Sequence, residues 1–172
     1  KKLFKNIHGQ LLMLPENQLR KQLHRLLKYT KYTLIMLNKI ILASKSKVRK
    51  DILEKNNVPC DVKPSNIDED MVKESLIKEG APPEIISKNL AELKANKISS
   101  KNYEQIVLGA DSVIDLEGEL ISKPEDRKEA LLILKKLNGK EHYLISSVCI
   151  SKNGKMIWNH TDKAKLKMKK FN

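Results

Sequence analysis

From residue 37 onward, short apolar runs alternate with stretches whose apolar residues recur every three or four positions. Lys39-Ile40-Ile41-Leu42-Ala43 reads as a buried strand, broken by Ser44 to Ser46. Val48, Ile52 and Leu53 then follow at helical spacing and run out near Asn56-Asn57. Val58 to Pro64 predicts a short extended piece, and residues 70–80 predict a helix stopped by Gly80. Pro82-Pro83 opens another helix, where proline costs no hydrogen bond. Ile85, Ile86, Leu90, Leu93 and Ile98 form its expected apolar side. Ile106 to Ala110 is the most apolar strand candidate, with Asp111 near its end. Asp115 to Glu119, around Gly118, predicts a hairpin turn. Asp126 to Leu137 predicts an amphipathic helix closed by Asn138-Gly139. Strands over about 141–151 and 155–169 follow, joined at Asn153-Gly154. In the last of these, Ala164, Leu166 and Met168 alternate with lysines, which predicts one buried and one solvated face. Strand and helix in alternation define an α/β fold with a mixed sheet.

The 172 residues suit one domain with a sizeable core, and the 32% charged content argues against a membrane-embedded chain. No apolar run approaches the roughly 20 residues needed to span a bilayer. Cys60 and Cys149 lie far apart, match no metal spacing and read as small buried thiols. His8, His24, His142 and His160 share no ligand spacing. These features place the expected location in the cytoplasm.

The net charge of +13 invites a nucleic-acid reading. Just over half of that excess sits in residues 1–35, where eight basic side chains face Glu16 alone. The alternating lysines of the last strand account for much of the remainder, so nucleic acid is not the expected partner. The chain starts at Lys1, and Met36 stands just before the first strand. Residues 1–35 are therefore set apart as a basic extension from a domain over 36–172. Leu19, Leu23, Leu26 and Leu27 fall at helical spacing there, as a packing helix or a membrane-surface helix would.

Three places could carry chemistry. Ser44-Lys45-Ser46-Lys47-Val48-Arg49 joins a strand end to a helix start, where free N–H groups and Arg49 suit phosphate. Asp68-Glu69-Asp70 offers oxygen ligands for a hard cation, or a solvated helix start. Asp111 lies just beyond an apolar strand among small neighbours, where α/β sites often form. Lys94 and Lys123 taken alone read as solvated lysines. There is no Walker A loop, Rossmann fingerprint or nucleophile elbow.

Together these pieces resemble the Maf family of nucleotide pyrophosphatases. The resemblance rests on Ala43-Ser44-Lys45-Ser46-Lys47-Val48-Arg49, the acidic pair Asp68-Glu69 and Leu90-Ala91-Glu92-Leu93-Lys94-Ala95. Gly109-Ala110-Asp111-Ser112, Lys123-Pro124 and the Ala130, Leu134, Leu137, Gly139 helix end continue it in family order, over about residues 38–170. It implies an elongated mixed sheet with flanking helices, two lobes around a cleft, like the inosine-triphosphate pyrophosphatases. It also implies metal-dependent hydrolysis of nucleoside triphosphates to a monophosphate and pyrophosphate, clearing non-canonical or modified nucleotides. Carried over, Ser44, Arg49, Lys94 and Lys123 would bind phosphate. Glu69 and Asp111 would hold Mg²⁺ or Mn²⁺, with Asp111 the favoured general base. A homodimer is the expected assembly. Two departures stand out: Val48 replaces a family arginine, and the family continues past Asn172, so the chain reads as lacking its C-terminal part. A non-catalytic nucleotide- or nucleic-acid-binding protein linked to cell division is the alternative.

Overall fold

The computed structural model describes residues 39–171. The expectations for residues 1–35, including the leucine-spaced helix, lie outside the described residues. The elements are β1 (Ile40–Leu42), α1 (Lys47–Lys55), β2 (Cys60–Val62), α2 (Glu69–Lys78) and α3 (Pro83–Ser99). They continue as β3 (Val107–Leu116), β4 (Glu119–Ile121), α4 (Arg127–Leu137), β5 (Glu141–Lys152) and β6 (Lys155–Lys167). Every element read from residue 37 onward is present, with ends shifted by a few residues.

The strands form one mixed sheet in the order β2-β1-β3-β5-β6, with β4 also paired to β3. β1 runs parallel to β2 and β3, while β3 is antiparallel to β4 and β5, and β5 to β6. The β3–β4 turn is Glu117-Gly118 and the β5–β6 turn Asn153-Gly154, each with positive φ at both positions. That backbone matches the twist of a two-residue hairpin, and glycine adopts it without strain. Between β5 and β6, Ile150 faces Trp158 and Ser151 faces Met156, so a bulge at Ile157 interrupts the pairing there.

β3 organises the fold. On one edge, Val107 and Leu108 pair with β1, and Ile114 to Leu116 pair with β4. Between those contacts, Gly109 to Val113 have no strand partner on that edge, and a cleft opens beside them.

α3 packs on the face of β3 and β5 that carries Gly109 and Cys149. Its buried side is Pro83, Ile86, Ser87, Leu90, Ala91, Lys94, Ala95, Ile98 and Ser99, a helical repeat. The expected stripe differs at two positions: Ile85 is 40% and Leu93 41% exposed. Close approach explains the difference. A Cβ built on Gly109 would lie 2.3 Å from the Ala91 carbonyl oxygen, so only small residues fit where the helix meets the strand. Binary hydrophobicity favours the large residues, whereas packing at this distance favours serine and alanine.

The lysine-rich end of β6 also departs from expectation. Ala164 and Leu166 are exposed, as are the lysines between them, so no buried face forms along that segment. Met168 alone of the three apolar residues packs inward, against the cluster of Leu116, Ile121 and Leu137. β6 ends the sheet among the described residues, and its lysine-rich segment is covered by no element on either face. In α4, Ile133 and Leu137 reach the same cluster, while Leu131, Leu132 and Leu134 stay exposed. No helix among the described residues is long and apolar enough to cross a membrane.

Candidate active site

The cleft beside β3 measures about 720 Å³. The β1–α1 turn, the segment leading into α2, α3, the middle of β3 and the segment after β4 all contribute to its wall. Ser44, Arg49, Glu69, Lys94, Asp111 and Lys123, which lie up to 79 residues apart in the chain, all line it.

The β1–α1 turn is built by its hydroxyls. Ser46 caps α1, its Oγ accepting from the Arg49 amide at 3.4 Å. Ser44 Oγ accepts from the Ser46 amide at 3.2 Å and from Arg49 Nη1 at 3.1 Å. Arg49 Nη1 also donates to the Ala110 carbonyl oxygen at 2.9 Å, and Nη2 to Ser112 Oγ at 3.3 Å. The guanidinium thus replaces a missing strand partner of β3, which a fork of several donors can do and a single ammonium cannot. Val48, where the resemblance expects an arginine, is 65% exposed and is not among the residues lining the cleft.

The acidic run resolves into three separate roles. Asp68 caps α2, with Oδ1 accepting from the Met71 amide at 3.0 Å. Asp70 pairs with Lys73 at 3.2 Å on the surface. Glu69 alone turns to the cleft, where Oε1 lies 3.0 Å from Lys94 Nζ. Lys94 Nζ also donates to Asp111 Oδ1 at 2.7 Å. The lysine side chain is 7% and the aspartate side chain 8% exposed. Lys94 occupies a core position of the α3 stripe, so its charge stands where the sheet presents Asp111.

Asp111 Oδ2 is buried and has no hydrogen-bond partner in the structure. Buried polar atoms are ordinarily paired, so such an oxygen points to a ligand, water or proton. Burial pushes the carboxyl above its ordinary range; Lys94 and Arg49 oppose the rise and nearby Glu69 adds to it. Two carboxylates with one free buried oxygen suit a hard divalent cation that completes its shell with water and phosphate oxygens. No group of three or more acidic, histidine or cysteine side chains is placed to hold a metal among the described residues. The fit is therefore to an ion shared with a ligand, not to an all-protein cage.

Lys123 lies after β4, with Ser122 and Pro124, in the wall of the same cleft. Two features escaped the sequence reading. Lys73 lines the cleft one helical turn beyond Glu69, a spacing that places both on one face of α2. Ser112 Oγ and Ser146 Oγ lie 3.1 Å apart across β3 and β5, a pairing that only the strand register reveals. The second half of the wall is aliphatic, with Ile114, Leu120, Ile133 and Leu144.

Sheet and cleft together define an α/β domain whose central strand offers a buried carboxylate to a cation-lined groove. Residues 39–172 match the family described as Maf-like protein, and the chain belongs to that family. A protein named nucleoside triphosphate pyrophosphatase from Pelagibacter ubique is 72% identical over 134 residues, covering 78% of this chain and 69% of that protein. One named 7-methyl-GTP pyrophosphatase from Brucella abortus is 37% identical over 131 residues, covering 76% of this chain and 66% of its own length. The chain thus spans about two thirds of the length of these relatives. A solved HAM1 protein from Coxiella burnetii superposes with a TM-score of 0.46 at 12% identity, over 74% of this chain and 70% of that one.

Proposed function

We propose that the protein hydrolyses nucleoside triphosphates at the bond between the α and β phosphates, releasing a monophosphate and pyrophosphate. The observation that carries this reading is the buried Lys94–Asp111 pair, joined by the half-exposed Glu69 and left with an unpartnered Asp111 Oδ2, set in a cleft lined by Lys45, Arg49, Lys73 and Lys123. The names of the relatives point to the same reaction class.

Phosphate transfer to water needs charge neutralisation, alignment and an oriented nucleophile more than covalent catalysis. The β1–α1 turn, with Ser44 and Arg49, receives phosphate oxygens at the start of a helix. Lys94 and Lys123 add positive charge from α3 and from the segment after β4. Glu69 and Asp111 would hold Mg²⁺ or Mn²⁺, which supplies electrostatic relief for the developing charge on the phosphates. Asp111 accepts a proton from the attacking water. The water oxygen bonds to the α phosphorus, the bond to the bridging oxygen breaks, and pyrophosphate leaves with that electron pair. A carboxylate raised by burial is a stronger base than a solvated one, which suits this task.

The basic charge of β6 does not favour a nucleic-acid reading. Lys163 pairs with Asp115 at 3.2 Å and Lys165 with Glu141 at 2.8 Å. The test is pyrophosphate release by the full-length protein from canonical triphosphates, 7-methyl-GTP and other modified nucleotides, with Mg²⁺ or Mn²⁺. Release that stops with a chelator supports the reading, and faster release from modified nucleotides supports a house-cleaning role. No release from folded, metal-supplied protein refutes it.

A further inference from the structure

We infer that Lys94 is a built-in counter-ion for Glu69 and Asp111, so that the divalent ion enters this site as a metal–triphosphate complex and not alone. The inference rests on the proposed function and adds to it an order of binding. Both carboxylates already share one ammonium, at 3.0 and 2.7 Å, and that ammonium is almost wholly buried. The trio carries one net negative charge in place of the two that bare carboxylates would offer.

The wider cleft strengthens the bias. Its charged lining is Lys45, Arg49, Lys73, Lys94 and Lys123 against Glu69 and Asp111. A free dication approaching this set meets more positive than negative charge, at short range and in a partly dehydrated place. A triphosphate reverses the balance, because its own negative charge outweighs that of the ion it carries. Lys94 can then give up one carboxylate and take a phosphate oxygen without leaving a buried charge unpaired. Asp111 Oδ2, buried and unpartnered in the present arrangement, is the oxygen left to accept a ligand when the complex arrives. Lys94 is thereby a positioning residue: it compensates the buried Asp111 and the half-exposed Glu69 until substrate arrives.

Equilibrium dialysis of Mn²⁺ against the full-length protein tests this without turnover. The probe is Mn²⁺ alone, or Mn²⁺ with a panel of α,β-methylene nucleoside triphosphates, which cannot be cut at the α–β bond. The parent is expected to retain little Mn²⁺ alone and close to one ion per site with an analogue. Lys94→Met and Lys94→Gln are expected to bind free Mn²⁺ about tenfold or more tightly than the parent. Adding Glu69→Gln to either variant should remove that gain. Equal retention of Mn²⁺ by the parent with and without every analogue overturns the inference, whatever the variants do. So does an unchanged affinity in a Lys94 variant that melts as a folded protein. These binding results are separate from pyrophosphate release. Tight binding of free Mn²⁺ by an active enzyme sinks only the order of binding, whereas ordered binding without release sinks only the enzymatic reading.

Discussion

Lys94 Nζ on α3 stands 2.7 Å from Asp111 Oδ1 on β3, and the same nitrogen lies 3.0 Å from Glu69 Oε1 on α2. This contact fixes the relative positions of three elements that line the cleft. It also makes Asp111 the residue whose replacement is most informative. Asp111→Asn keeps the shape and removes the base, so kcat is expected to fall by about 10²- to 10⁴-fold with a smaller change in KM. Steady-state pyrophosphate release measures this, and a variant with parental kcat would exclude Asp111 as the base.

The acid limb of the pH profile of kcat/KM should lie above the ordinary carboxylate range. Asp111 works ionised, and burial raises the pH at which it ionises. As pH falls through that raised value, activity is lost. Glu69 contributes to the rise through its charge, so Glu69→Gln should move the limb to lower pH in whatever activity remains. A limb that stays in place, or moves up, would contradict this coupling. The profile should be taken with the inactive Asp111→Asn protein as the blank.

Arg49→Lys should not restore function. The guanidinium donates to Ser44 Oγ, the Ala110 carbonyl oxygen and Ser112 Oγ, and one ammonium on a flexible stem cannot meet all three. Loss of one charge-assisted contact is expected to raise KM about tenfold. Titration of initial rate against substrate reads this directly, and a KM equal to the parent's would show that the fork is dispensable.

Gly109→Ala should weaken both the fold and the site. The added Cβ would lie 2.3 Å from the Ala91 carbonyl oxygen and 2.7 Å from the Ala95 amide nitrogen, both backbone atoms that cannot rotate away. Overpacking of this kind costs about 1–3 kcal/mol. The displaced helix is α3, so Lys94 shifts from Asp111 as well. Thermal melting should show a lower Tm together with lower activity. An unchanged Tm would mean that α3 moves freely, against the packing described.

The elements themselves were legible in the chain, because strand and helix periods, capping residues and paired hairpin turns are local properties. Glu117-Gly118 and Asn153-Gly154 turn where a two-residue hairpin needs positive φ, and Pro83 and Asp126 mark helix starts. The resemblance carried Ser44, Arg49, Glu69, Lys94, Asp111 and Lys123 to one cleft, although Lys94 and Lys123 by themselves looked like solvated lysines.

Tertiary structure decided the rest. Spacing along α3 cannot tell that Ser87, Ala91 and Ala95 are buried where Ile85 and Leu93 are exposed, because that follows from the approach of Gly109 to Ala91. Alternation in β6 cannot tell that both faces are exposed, because burial depends on what lies above and below the strand. Of three consecutive carboxylates, only the fold shows that Asp68 caps, Asp70 faces solvent and Glu69 meets Lys94. The sequence by itself determined which residues could bear charge and which local shapes they prefer. Which charges meet, and which oxygen is left without a partner, was decided by packing, since these depend on atoms brought together from distant parts of the chain.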